Sequence, residues 1–351
     1  MSNLTKISYY TKKIIKWGII GSLGLIIFRL IFSVGKDIWE QFYPPAPPPP
    51  TVAFKKLPRL QFPEKESLED LEFKLETPTG TLPSFLNQAK VYLMPAKKPG
   101  FLGPENAKKQ AAKLGFSEDP QIISEKIFRW TRKSPLNSTL EMDIFSETFI
   151  LSYDWQLEKV ILAQQSPPNK DQAIKEAISF IQKMGELNND LIEGRTEATY
   201  FKTIGSKMIP APSLSEADFT KVEIFRKDIE KSPVLTADME KGIVSLILSG
   251  AGGAKRIIKA EFNYFPVDYD LLATYPIRSS AEAWKELESG QSFIASWKGT
   301  GKVTIRRVYL AYYDSWEPQG FLQPIFVFQG DDDFFGYVPA VSEEWFLPIH
   351  D

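Results

Sequence analysis

The chain has 351 residues, 43% of them apolar and 25% charged, enough for one large domain or two ordinary ones with buried cores. Cysteine is absent and the single histidine, His350, is the penultimate residue, which excludes disulfides, thiolate nucleophiles and Cys-ligated zinc and leaves no Ser-His-Asp or multi-His site. The net charge of −2 hides an asymmetry. Residues 1–35 carry Lys6, Lys12, Lys13, Lys16 and Arg29 with no acid, and removing those five from the 42 bases leaves 37 against 44 acids, a net of −7 for the remainder. An acidic body argues against nucleic acid as a partner, because phosphate binding needs a basic face.

The first element is apolar. Residues 17–34 read WGIIGSLGLIIFRLIFSV, interrupted only by Ser22, Arg29 and Ser33. Extended over 14–38, a helix rising about 1.5 Å per residue spans the ~30 Å hydrocarbon core of a bilayer. Lys16 and Arg29 lie toward its two edges, within reach of headgroups, and Trp17 and Trp39 suit the two interfaces. Lysines before the span, with Asp37 and Glu40 after it, predict a cytoplasmic tail over 1–13 and an extracytoplasmic remainder. A cleaved signal peptide is the alternative, weakened by the length of the stretch and by the poor small-residue site at Ser33-Val34-Gly35. A buried helix of a soluble protein is the third reading, and the one-sided charge argues against it.

A linker over 39–60 follows, and its PPAPPPP stretch at 44–50 predicts a polyproline II spacer of about 3.1 Å per residue. Three helices with matching punctuation come next. The first spans 104–114, between Gly103 and Gly115. The second spans 170–184, with Asn169 as N-cap, Gln172 three residues on, the stripe Ala173, Ile174, Ala177, Ile178 and Ile181, and a closing Gly185. The third spans 280–289, opened by a capping box of Ser279 and Glu282 and closed by Gly290. Strand-like runs follow each helix: 122–130, 140–145 and 149–154; then 196–204, 221–227, 242–248 and 256–265; then 291–297, 303–313, 322–329 and 335–341. The expected architecture is α+β, a repeated helix-plus-antiparallel-meander unit with helices on one face of each sheet. Ser166-Pro167-Pro168 predicts a division into lobes of 61–165 and 169–351.

Chemistry-bearing motifs are few. The run 250–255, Gly-Ala-Gly-Gly-Ala-Lys, departs from the phosphate loop where Ala254 replaces the required Gly and Arg256 the required Ser or Thr, and strands on both sides predict a hairpin turn. Asp331, Asp332 and Asp333 lack the glycine and glutamate spacing of a calcium loop and read as a solvated turn. No spacing marks out a carboxylate pair for glycosidase chemistry. Asn137-Ser138-Thr139 is a formal glycosylation sequon. Aromatics crowd the end of the chain: Tyr309, Tyr312, Tyr313, Trp316, Phe321, Phe326, Phe328, Phe334, Phe335, Tyr337, Trp345 and Phe346. Core filling and cross-strand pairs account for most. An exposed aromatic groove for a peptide or glycan is the functional reading, with Trp316 and Trp345 as its candidate contact residues. No catalytic residue, cofactor or metal ligand is assigned.

The final third resembles a known family. Tyr275-Pro276-Ile277, Ala281-Glu282-Ala283-Trp284-Lys285-Glu286-Leu287 and Gly290 precede Val303-Thr304-Ile305, Tyr309-Leu310-Ala311-Tyr312-Tyr313, Leu322-Gln323-Pro324 and Tyr337-Val338-Pro339-Ala340-Val341. That order resembles the YycI-type and YycH-type membrane-anchored regulators, and the helix-plus-meander unit is similar to the PepSY module, with 107–116 as a degenerate earlier copy. From 47–63 onwards the chain also resembles uncharacterised envelope proteins of minimal-genome bacterial lineages. The resemblance implies an extracytoplasmic domain on one N-terminal helix that adjusts a membrane sensor histidine kinase without catalysis. The functional expectation is a non-enzymatic envelope protein with a membrane or envelope protein partner. A carboxylate-dependent exoplasmic enzyme and a structural assembly factor are the alternatives.

Overall fold

The apolar N-terminal stretch forms a helix, α1 (Lys16–Lys36), of 21 residues and mean hydropathy 2.0, long and apolar enough to cross a membrane. The structure, a computed structural model, describes residues 16–18, 21–36, 48–64, 71–96, 103–134, 137–158 and 166–348. The tail over 1–13, most of the proline run at 44–50 and His350 lie outside the described residues. The chain divides into two units, Met1–Pro49 and Pro50–Asp351. The second unit is mixed α+β and mostly sheet.

Its strands begin with β1 (Glu72–Leu75) and β2 (Gln88–Leu93), and helix α2 (Gly103–Lys113) follows. Then come β3 (Gln121–Ile122), β4 (Ile127–Arg132), β5 (Ser138–Asp143) and β6 (Phe149–Tyr153). Helices α3 (Lys170–Met184) and α4 (Asn189–Ile192) lead into β7 (Thr196–Ile204), β8 (Lys207–Pro210), β9 (Phe219–Ile224), β10 (Val234–Leu235), β11 (Val244–Ser249) and β12 (Ile257–Phe262). The last stretch holds β13 (Asp268–Pro276), α5 (Ser280–Glu288), β14 (Phe293–Ser296), β15 (Lys302–Tyr313), β16 (Phe321–Gly330) and β17 (Phe335–Pro339).

The helices form where cap and stripe coincide. Asn169 accepts a hydrogen bond from the Gln172 backbone at 2.9 Å, and α3 ends on Gly185 at φ 83°, a left-handed position open to a residue without Cβ. Its buried residues Ala173, Ala177, Ile181 and Met184 share one core with Ala107 and Ala111 of α2. At α5 the capping box of Ser279 and Glu282 is complete.

The first sheet has nine antiparallel strands in the order β3-β4-β5-β6-β12-β11-β9-β7-β8. The strands on either side of Ser166-Pro167-Pro168 meet edge to edge where β6 pairs with β12, and the Phe149 and Phe262 rings stack there at 5.5 Å. The sheet therefore runs across the position expected to divide two lobes. The run at 250–255 is a short turn between the antiparallel strands β11 and β12.

The second sheet has eight strands and takes them from both ends of the unit. Its path is β1-β15-β16-β17-β14, with β10 also beside β15 and β2 pairing both β16 and β13. Strands β1, β2, β8, β10 and β13 carried no expectation from the sequence. They are short, or lack clean alternation, and all but β8, which forms a hairpin with β7, are held by partners distant in the chain. Leu57, fully buried, pairs with Phe346 and fastens the segment after the linker to the final turn. One face of the sheet packs Phe326, Phe328 and Phe334 with Ala283 and Leu287 of α5; the other packs Tyr313, Ile325, Val327 and Tyr337.

Candidate functional site

The two sheets meet at a buried charge cluster. Arg226, just past β9, donates through Nε to Asp314 Oδ2 at 2.8 Å, through Nη1 to Asp190 Oδ2, and through Nη2 to the Phe265 carbonyl at 2.7 Å. Asp190 lies in α4, and Asp314 follows β15 of the other sheet. The hydroxyls of Tyr264 and Tyr269 each donate to Asp190 at 3.0 Å, and the Tyr264 ring lies 4.9 Å from the guanidinium carbon. Arg226, Asp190 and Asp314 are 2%, 4% and 1% exposed, so the charges survive burial only because each is met by partners.

Electrostatics follow from that enclosure. Burial works against the charge on Arg226, but Asp314 and Asp190 outweigh it and raise its pKa above the ordinary value. Burial pushes the Asp314 carboxyl up, with Arg226 opposing. Burial also raises the Tyr264 and Tyr269 phenols, which keeps them neutral and able to donate to Asp190.

Beside this cluster the joint opens into a cleft of about 530 Å³. Phe225, Val234, Leu235, Met239, Tyr309 and Phe335 give it an apolar and aromatic side, while Gln329 and the charged residues Glu193, Arg195, Lys227 and Asp228 supply the larger, polar share of its surface. The charges are largely spoken for: Lys227 pairs with Glu193 at 3.1 Å, and Arg195 pairs with Glu197 at 2.8 Å while stacking on Phe225 at 3.9 Å. Close packing forms the rim, since a Cβ on Gly194 would lie 1.9 Å from the Phe225 carbonyl oxygen. Burial raises the Tyr309 phenol. The arrangement suits an apolar or aromatic group flanked by polar ones. A second cleft, about 600 Å³, lies at the ends of β4–β6 beside Arg132, Asn137, Tyr153 and Trp155. Among the described residues it has no buried charge cluster beneath it, and the joint between the sheets is the stronger candidate.

Trp316 and Trp345, the residues expected to contact a partner, are both half-buried and belong to different parts of the core. Trp316 donates through Nε1 to the Gly242 carbonyl at 3.1 Å, with Lys241 Nζ 4.8 Å from its ring. It packs against cores of both sheets. Trp345 sits edge-on to Tyr275 at 5.9 Å and donates to Glu344. The dense aromatics of the last strands form core, as Tyr312, Tyr313, Phe326, Phe328, Phe334, Tyr337 and Phe346 are buried. Asp331 pairs with Arg306, and Asp333 pairs with Lys298, so the three-aspartate turn is laced into surface ion pairs.

Sequence reasoning missed the cluster entirely. Arg226 lies near the end of the strand-like run 221–227 and Asp314 follows two tyrosines, positions where a charge reads as solvated. The available signal was weak: each is a charge directly after an aromatic residue at or just past the end of a strand.

No family model matches the chain, and no curated protein matches it. Among solved structures, an uncharacterised protein from Eubacterium rectale ATCC 33656 is similar at 10% identity and a TM-score of 0.35, over 78% of this chain and 90% of that one. A score that low carries no conclusion about fold or function.

Proposed function

We propose that this chain is a non-enzymatic, membrane-anchored binding or regulatory protein whose folded unit lies outside the cytoplasmic membrane and engages a membrane or envelope protein. The cleft between the sheets carries the binding part of the reading: apolar and aromatic side chains lie beside polar ones in it, and most of its charges are matched by neighbours rather than aimed at a common point. The lysines ahead of α1 support a cytoplasmic N-terminus. The likeness of the final third to YycI-type and YycH-type regulators supports a sensor histidine kinase as partner and a PepSY-like ancestry for the helix-plus-meander segments. Trp316 and Trp345 stay within this proposal as contact residues through the faces they leave accessible.

Photocrosslinkers at positions 309 and 335 in native membranes test the reading. A single membrane protein should be captured, and excess purified folded unit should compete for it. Protease added outside intact cells should reach residues 61–351. Turnover of an envelope glycan or peptide, abolished by Glu193→Gln or Asp228→Asn in a folded protein, would instead establish the carboxylate-dependent enzyme.

A further inference from the structure

Strand β15 is the longest in its sheet, and one of its edges is only partly paired. Toward β16 the ladder is continuous from Arg307↔Gln329 to Tyr313↔Gln323. On the opposite edge β1 runs parallel to it over Lys302–Ile305, and β10 runs parallel over Tyr312–Tyr313. Between them about six residues, 306–311, have no strand beside them among the described residues, a gap of about 20 Å at 3.3 Å per residue.

The backbone directions locate the open groups. Tyr312 N–H donates outward to Pro233 and Asp314 N–H to Leu235, so the even-numbered residues of this stretch face away from β16. Val308 and Leu310 therefore turn their N–H and C=O groups to the outer edge, where no backbone partner meets them among the described residues. Both flanking ladders stop at a proline. After β1, Glu76 N–H still reaches Ile305, but Pro78 two residues on has no N–H to give; before β10, Pro233 likewise has none for Leu310. Neither strand can zip along the gap.

We infer that this gap is a docking slot for one extended peptide strand of the partner, carrying an acidic residue and an apolar residue two positions later. The inference rests on the binding reading above and names the chemistry of the partner segment. Charge supports the acidic residue: Arg307 is exposed, lies 5.4 Å from the Tyr309 ring, and has no carboxylate within ion-pair distance among the described residues. Neighbouring Arg306 is already held by Glu76 and Asp331. The apolar residue follows from the alternation of side chains, since Arg307 and Tyr309 share the face on which Leu235, Met239 and Phe335 line the cleft. The bulge between Ile305 and Arg307, the two prolines and the arginines are devices that keep an edge from pairing at random, and here they leave admission to an acidic strand.

The probe is the capped peptide acetyl-Thr-Glu-Val-Leu-Val-Thr-amide, added to the full chain in nanodiscs. Amides of Val308 and Leu310 should exchange quickly in the free protein and slow on peptide binding, while those of Arg307, Tyr309 and Ala311 stay slow throughout. N-methylation of alternate peptide residues should weaken binding about tenfold or more, because it deletes strand hydrogen bonds. Arg307→Glu should weaken it about fivefold, and a peptide with Lys in place of Glu should recover the loss on that variant. No peptide binding at millimolar concentration, equal binding of the N-methylated peptide, or Val308 and Leu310 amides already protected in the free protein would overturn the slot. If those results come while the crosslinked membrane partner is still captured, the slot falls and the binding reading stands.

Discussion

The nine-stranded sheet and the eight-stranded sheet are built on different plans. In the first, every neighbouring pair is antiparallel, and most strands lie beside their sequence neighbours, with the β6–β12 contact as the main long-range step. In the second, β1 and β10 run parallel to β15, and β2 comes from the far end of the unit to pair with β13 and β16. Local pairing recovers its cost as soon as a hairpin closes, whereas the second sheet must close long loops before its contacts form. The contrast teaches that the second sheet depends on its closures, and that the Arg226 cluster ties its stability to that of the first.

The largest expected effect breaks that tie. Arg226→Met leaves Asp190 and Asp314 buried without their cation and should cost about 3–5 kcal/mol, read as a fall in the urea midpoint. Hydrogen exchange should then show the two sheets opening separately, whereas the unaltered protein should open as one; unchanged joint protection would show that the cluster does not couple them.

Leu57→Ala sharpens the contrast from the other side. It removes a fully buried side chain at the closure with Phe346 and should cost about 2–4 kcal/mol. Faster exchange should be confined to β2, β13 and the final turn. Equal loosening of β11 and β12 would mean that the two plans are not separable.

Asn169→Ala tests the locally built sheet. Losing the cap on α3 should cost about 1 kcal/mol in thermal stability, with Asn169→Asp recovering most of it. No change would place the start of α3 under control of packing alone.

The smallest effect is electrostatic. Arg256 hydrogen bonds, at 2.6 and 2.7 Å, hold the Glu176 carboxyl below the usual carboxylate range. A carboxylate with a lowered folded-state pKa contributes fully above its unfolded value of about 4.5 and loses that contribution as pH falls through the folded one. Glu176→Gln should therefore flatten the decline in stability below about pH 4.5 and leave its shape near neutrality unchanged. An identical acid limb in both proteins would assign that decline to other carboxylates.

Much of the local structure was legible in advance. The Asn169 cap, the alanine-isoleucine stripe of α3 and the Ser279–Glu282 box are signals contained within a turn or two of helix, and the structure starts and ends those helices where the signals stand. Thr196–Ile204 was equally plain, as was the turn at 250–255, because alternation and glycine act on neighbouring residues. The candidate site was not legible. Lys227 and Arg226 are adjacent and equally basic in the sequence, yet one is paired at the cleft rim and the other is enclosed between two aspartates. Trp316 and Trp345 looked like exposed anchors, but their indoles are partly taken up by the core.

By itself, then, the sequence determined the apolar helix at Lys16–Lys36, the capped helices and the strands with clean alternation. Each depends on interactions between residues a few positions apart. Only the tertiary structure decided which sheet a strand joins, that β6 would meet β12, that prolines on either side would leave part of the β15 edge open, and that Arg226 would be buried. The physical reason is that side-chain period tells a strand which face to bury but not which neighbour to accept, and a charge carries no local mark of the dielectric it will occupy.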